Sequence, residues 1–247
     1  MPPAPLLVAD RLTKAFPSQP RGSAAAVSDV SFELRANEIL AIVGANGAGK
    51  TTLLDLFATV LAPTSGRFRI AGFDGLTRRQ AVRRAIGYVP SGGRSLYPRL
   101  TGGQNLLFFA SLHGYCPVDA VPRAEAAMRL CGAWDVRGTR IDRLSDGMVA
   151  RMTLARALLH DPSVLLLDEP TRSIDPVQRP SLLRAVREYA RQPGKGAVIV
   201  THDLDDVFTI ADRVAVMKEG RVVTIAEVAA GQGTRGLLAA AVGEPSL

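Results

Sequence analysis

The chain has little of what signals specialised chemistry: two cysteines, three histidines, one tryptophan and 5% aromatics in 247 residues. Cys116 and Cys131 lack metal-ligand spacing, so they read as reduced, buried thiols. No apolar run approaches the roughly 18–20 residues of a membrane span. The longest, such as VLLL at 164–167, have the length of a strand. The opening MPPAPLLVADR has neither a basic start nor a continuous apolar core, which argues against a signal peptide and for a chain that stays in the cytosol. Basic residues are not interleaved with aromatics as base stacking requires, so nucleic acid is not an expected partner. Neither an internal repeat nor a low-complexity linker interrupts the chain.

What is present is an ordinary globular composition, 47% hydrophobic and 21% charged, long enough for one large domain or two small ones. The formal net charge is +7, with the densest basic run in RRQAVRR at 78–84. Such a run is a solvated face, a dock for an acidic partner or a contact for anionic lipid.

Apolar patterning organises the rest. LLVADRLTKAF and VSDVSFELRANEILAIVG alternate or run apolar at strand length, with turns expected at Ser28-Asp29 and Ala36-Asn37. ILAIVG at 39–44 is a continuous apolar run of the kind buried in a parallel sheet. TTLLDLFATVL at 51–61 has helical spacing, stopped by Pro63 and Gly66. GRFRIAGFD and AIGYVP read as strands. From 101 to 160 three helical segments follow, TGGQNLLFFASLHG, VPRAEAAMRLCGAW and SDGMVARMTLARALLH. VLLLDEP returns to a buried strand. A helix over about 176–191, the strand GAVIVTHD, a short helix over 203–211 and the paired strands of RVAVMKEGRVV complete the pattern. A last short helix is expected in AAGQGTRGLLAAAVG. This order describes an α/β core interrupted by a helical insert.

Residues 44–52 read GANGAGKTT and fit G-x-x-x-x-G-K-[ST] at Gly44, Gly49, Lys50 and Thr51, with a strand before and a helix after. Glycines let the backbone turn its N–H groups around a phosphate, and the helix N-terminus adds positive potential. Lys50 can reach the β- and γ-phosphates, and Thr51 can offer its hydroxyl to Mg²⁺. Hydrolysis also needs a carboxylate for the metal and a base for water. VLLLDEP supplies Asp168 for the first and Glu169 for the second. His202 ends the next apolar strand, at the sheet edge where α/β folds bind ligands.

These residues, in this order, resemble the ATP-binding cassette subunits of ABC transporters over nearly the whole chain. GANGAGKTT resembles Walker A, with Gly44, Ala45, Asn46, Gly47, Ala48, Gly49, Lys50, Thr51 and Thr52 at ATP. VLLLDEP resembles Walker B with its catalytic glutamate. LSDGM at 144–148 is similar to the signature motif, SIDP at 173–176 to the D-loop that carries Asp175, and His202 to the switch histidine. Phe16 falls where an aromatic stacks on adenine. The resemblance implies one cassette domain over 1–247: a P-loop NTPase (RecA-like) core, an N-terminal antiparallel β subdomain, and a helical signature subdomain inserted at about 92–160. It implies ATP and Mg²⁺ as cofactors, Glu169, His202 and Lys50 as catalytic residues, and Thr51 and Asp168 at the metal.

The resemblance further implies that GANGAGKTT is half a site. Ser145 and Gly147 would face the γ-phosphate held by a second cassette, either an identical copy or a paralogue, and Ser145 is also a good helix N-cap. An integral membrane permease would be the other partner and would hold the chain at the inner face of the membrane. LSDGM, SLYPRLTGGQNLLFF and EPTRSIDP look most like exporter-type cassettes with a separate permease. Departures accompany the match. Ser91 stands where the family has the Q-loop glutamine; it is too short to span the same distance without a bridging water, and Gln104 lies too far along to replace it. Asp146, Ile174 and the Ala36-Asn37 pair are milder changes. Two other readings follow: a cassette ATPase not coupled to transport, disfavoured by the lack of a coiled-coil insertion or second cassette, and a weakly hydrolysing ATP-binding switch owing to Ser91.

Overall fold

The computed structural model describes residues 4–16, 25–92, 95–172 and 174–228. Its strands are β1 (Leu7–Lys14), β2 (Val27–Leu34), β3 (Ile39–Val43), β4 (Ser65–Ile70), β5 (Phe73–Asp74), β6 (Ile86–Val89), β7 (Val164–Asp168), β8 (Gly196–Val200), β9 (Arg213–Lys218) and β10 (Arg221–Glu227). Its helices are α1 (Lys50–Phe57), α2 (Arg79–Ala85), α3 (Gly102–Leu112), α4 (Pro117–Leu130), α5 (Asp146–Leu158), α6 (Arg179–Ala190) and α7 (Leu204–Ile210). The expected helix in AAGQGTRGLLAAAVG lies outside the described residues.

Strands that alternate apolar and polar residues bury one face, and those near the N-terminus form an antiparallel sheet in the order β2-β1-β4-β5. Strands that are apolar throughout must bury both faces. β3, β7 and β8 are buried at every residue and form the middle of a six-stranded sheet, β10-β9-β3-β8-β7-β6. All its pairs are parallel except β9 with β10. Alternate residues of one strand serve different cores. Leu40 and Ile42 face a core shared with the smaller sheet, α1 and α2, whereas Ala41 and Val43 face a core shared with α3 to α7. Phe57 of α1 fills the first core, its ring edge-on to Phe32 at 5.8 Å and to Phe68 at 5.7 Å.

Two expectations needed revision. Ser28-Asp29 is not a turn but an irregularity inside β2: Asp29 has φ 54°, and its N–H donates to the Thr13 hydroxyl oxygen at 3.1 Å. α1 stops at Phe57 rather than near residue 61. Thr59 adopts φ 58°, its hydroxyl takes Arg83 Nε at 2.7 Å and its carbonyl takes both Arg79 and Arg83. The basic run forms a helix, α2, that buries Val82 and Ala85 and leaves its arginines exposed, as a solvated face does, with Arg79 and Arg83 reaching Thr59.

α3, α4 and α5 lie between the adjacent strands β6 and β7. A capping box starts α3, the Thr101 hydroxyl accepting from Gln104 N and the Gln104 side chain accepting from Thr101 N, so Gln104 is spent on a helix end. The helical unit is tied to β6 at two points. Arg156 of α5 donates to the carbonyls of Tyr88 (3.0 Å) and Ser95 (3.5 Å). His160 Nε2 donates to the Ile86 carbonyl at 2.7 Å while its ring stacks on His113, centroids 4.1 Å apart.

Burial, aided by the neighbouring His113, pushes the His160 imidazole down to about 4. An unfolded histidine binds its proton near 6.5, so between these values the unfolded chain holds more protons and stability falls as pH falls. The chain should lose of the order of 2 kcal/mol to this group between pH 6.5 and 4. Urea titrations across that range should show a shallower slope for His160→Gln than for the wild type.

Candidate functional site

A parallel sheet delivers its loops to the C-terminal edge of its strands, and the residues singled out in the sequence gather there. β3 ends at Val43 and the chain passes through 44–49 into α1. The turn depends on Gly49, at φ 97°: a Cβ there would lie 2.0 Å from the Ala26 carbonyl oxygen. Ala45, Asn46 and Gly47 are exposed at the tip, Gly44 and Ala48 are buried below, and Thr52 is half-buried in the first turn of α1. The N–H groups of that turn have no partner within the helix, which makes it an anion cradle.

Lys50 opens α1 but is only 6% exposed. Its ammonium donates to the carbonyls of Gly44 (2.6 Å) and Ala45 (3.0 Å), folding the loop around it. Burial lowers its pKa, and the carboxylates of Glu169 and Asp168 oppose that shift. Asp168, the last residue of β7, is 1% exposed and accepts from Thr51 Oγ1 at 3.1 Å. Burial raises its pKa against hydrogen bonds from the Thr51 and Ser91 hydroxyls. Ser91, on the loop after β6, thus brings its hydroxyl to the Asp168 carboxylate.

Glu169 turns away from the strand in a left-handed conformation, φ 46°, that costs a non-glycine residue of order 1–2 kcal/mol. Its N–H is held by the Val200 carbonyl at 2.8 Å. One carboxylate oxygen lies 3.1 Å from His202 Nδ1 and the other 3.3 Å from an Arg172 guanidinium nitrogen. The carboxylate thus stands between an imidazole and a guanidinium. Arg172 was not legible as a site residue, because only the tight turn after Glu169 folds it back.

The remaining candidates lie elsewhere. Ser145 caps α5, accepting from Met148 N at 3.4 Å, and is exposed. Gly147 is buried where α5 meets α6, and a Cβ there would fall 2.4 Å from the Gln178 side-chain oxygen. A cavity of about 600 Å³, lined by Gly92, Asp146, Val149 and Glu169 among others, lies between the start of α5 and the catalytic edge. Asp175 is exposed on the loop after β7. Phe16 lies two residues beyond the end of β1, half-buried, with Lys14 Nζ 5.1 Å from its ring centre.

The donor set suits a hard divalent ion. Thr51, Ser91 and Asp168 offer oxygens, and no cluster of three or more His, Cys, Asp or Glu among the described residues forms an all-protein metal cage. A Mg²⁺ that also binds phosphate oxygens and water fits such a partial shell.

Comparison with known proteins gives one answer. A family model described as ABC transporter matches residues 27–172. The ABC transporter ATP-binding protein NatA of Bacillus subtilis is 33% identical over 198 residues, 80% of each chain. The linearmycin resistance ATP-binding protein LnrL of Bacillus subtilis is 29% identical over 220 residues, 89% of this chain and 68% of that one. Among solved structures, cbiO1 from Clostridium perfringens, part of the ABC transporter complex cbiONQ, superposes with a TM-score of 0.81 at 28% identity, covering 92% of this chain and 90% of that one. The ATP-binding cassette MJ0796, in a dimeric structure bound to ADP and Pi, shares the fold with a TM-score of 0.80 at 23% identity, over 91% of this chain and 100% of that one.

A carboxylate with a raised pKa destabilises the folded chain at neutral pH, because the unfolded group ionises more readily. Asp168→Asn should therefore raise the Tm of the nucleotide-free protein by about 2 °C or more at pH 7 while removing Mg²⁺-dependent stabilisation by ATP. Differential scanning fluorimetry with and without Mg²⁺ and ATP reads both.

Proposed function

The chain belongs to the ABC transporter family and is an ATP-hydrolysing transporter subunit, and on that premise we propose that it powers export through a separate membrane permease. Its second partner is another cassette, an identical copy or a paralogue, closing head to tail over two ATP molecules. Among the described residues no helix is long and apolar enough to cross a membrane. In this reading the permease holds the chain at the inner face. The relative LnrL carries an association with linearmycin resistance in its name, and cbiO1 is part of a transporter complex, both in keeping with work beside a membrane partner.

The observation that carries the reading is the convergence of Lys50, Asp168, Glu169 and His202 at one sheet edge. The first turn of α1 and Lys50 bind the β- and γ-phosphates. Thr51 and Asp168 would hold Mg²⁺, with the Ser91 hydroxyl beside the carboxylate, and the ion would supply positive charge to offset that of the phosphates. Glu169 accepts a proton from a water whose oxygen bonds to the γ-phosphorus as the bond to the β-bridging oxygen breaks, leaving ADP and phosphate. His202 fixes the Glu169 oxygen that it contacts and faces the γ-phosphate. Ser145 and the α5 N-terminus complete the partner's site rather than their own, and Asp175 lies between the two.

A weakly hydrolysing switch is the second reading, and the contact of Ser91 with Asp168 weighs against it. Steady-state hydrolysis by the purified chain, with and without a permease, tests both. Wild type should turn over, and Glu169→Gln should lower kcat about a hundredfold or more without weakening ATP binding. Ser91→Ala should slow turnover, and Ser91→Gln should change it less than about threefold. A silent wild type revived by Ser91→Gln would establish the switch instead, and unchanged turnover in Glu169→Gln would overturn the assignment.

A further inference from the structure

The loop that carries Asp175 and the loop that carries His202 leave the sheet from different strands, yet they are tied together in two places. The inner tie is buried: the Thr171 hydroxyl donates to the Asp206 carboxylate of α7. The outer tie is Arg179, the first residue of α6. Its Nε donates to the Ile174 carbonyl at 3.1 Å, one residue before Asp175. Its Nη1 donates to Asp203 Oδ2 at 2.5 Å, one residue after His202.

Asp203 has no slack left. Its other carboxylate oxygen caps α7, accepting from Asp205 N at 2.9 Å, and its own N–H donates to the Thr201 hydroxyl at 3.0 Å. His202 thus sits between a buried threonine and an aspartate anchored at three points, and its exposed ring reaches Glu169 across a single 3.1 Å contact. The backbone around His202 decides where that ring points, and Arg179 links this backbone to the Asp175 loop. The same turn of α6 also meets the signature helix: Gln178 fills the space beside Gly147, and Ser181 accepts from Arg151 of α5 at 2.7 Å.

We propose that Arg179 and Asp203 are a positioning pair that couples the Asp175 loop to His202, so that displacement of that loop changes how His202 holds Glu169. Neither residue touches the reacting atoms. The inference rests on the hydrolytic reading of the site. An ordinary half-exposed ion pair would be worth little to stability and nothing to turnover, which is the alternative that the test must separate.

The test uses the full chain. Its three histidines, His113, His160 and His202, give ring signals that proton–carbon correlation NMR resolves. Arg179→Met should shift or broaden the His202 signal, leave those of His113 and His160 in place, and keep the Tm. Arg179→Lys, which keeps the positive charge opposite Asp203, should restore the His202 signal. Asp203→Asn, which keeps the α7 cap, serves if Arg179→Met fails to fold. In hydrolysis assays Arg179→Met should lower kcat about tenfold at unchanged KM, and should cost nothing further in a His202→Ala background. An unmoved His202 signal, or the same fold loss with His202 absent, overturns the proposal. If the wild type proves hydrolytically silent, the hydrolytic reading fails, and the NMR arm still decides whether the pair positions His202.

Discussion

A carboxylate and an ammonium are held nearly out of water where a strand buried on both faces meets the first turn of α1. Asp168 and Lys50 are each almost inaccessible, and burial opposes the charged form of both. Each has hydrogen-bonding company that offsets this cost: two loop carbonyls for Lys50, and the hydroxyls of Thr51 and Ser91 for Asp168. This arrangement is unfavourable for stability in the absence of ligand and favourable for binding a phosphate and its cation. A site that stores such a cost releases it when substrate arrives, and that couples nucleotide occupancy to the shape of the surrounding loops.

Those loops are not independent. The loop after β6 reaches the site through Ser91 and the helical unit through the carbonyl of Ser95, which takes Arg156 of α5. The loop after β7 contains Arg172 and Asp175 and is tied to α7 by Thr171 and Arg179. The cavity between α5 and Glu169 leaves the two units unpacked against one another at the catalytic edge, while they remain tied at its rim. A motor subunit needs this combination: a shared apolar core that holds the units together, with polar ties that can be exchanged where the loops meet the site.

Much of the fold was legible because burial dictates composition. Strands buried on both faces, β3, β7 and β8, appear as uninterrupted apolar runs, and α3 and α5 announce themselves through Thr101 and Ser145 at their starts. The misreadings share one cause. Ser28-Asp29 looks like a turn because its residues favour turns, but pairing with β1 absorbs it as a bulge. TTLLDLFATVL looks helical to its end, but Thr59 adopts a left-handed conformation and takes the side chains of Arg79 and Arg83, and α1 ends at Phe57. In each case a partner distant in sequence outweighed the local preference.

The sequence by itself determined the chemistry: a glycine-rich loop with Lys50 and Thr51, a strand ending in Asp168 and Glu169, and a strand followed by His202, since each depends on residue type and spacing within a few positions. Only the tertiary structure decided how these groups meet. It set Ser91 on Asp168, placed Glu169 between His202 and Arg172, and joined Arg179 to Asp203. Those contacts join segments that leave different strands or turn back sharply on themselves. Hydrophobic periodicity fixes which face of a strand is buried but not which loop lies beside which, because that follows from the order in which the strands pair.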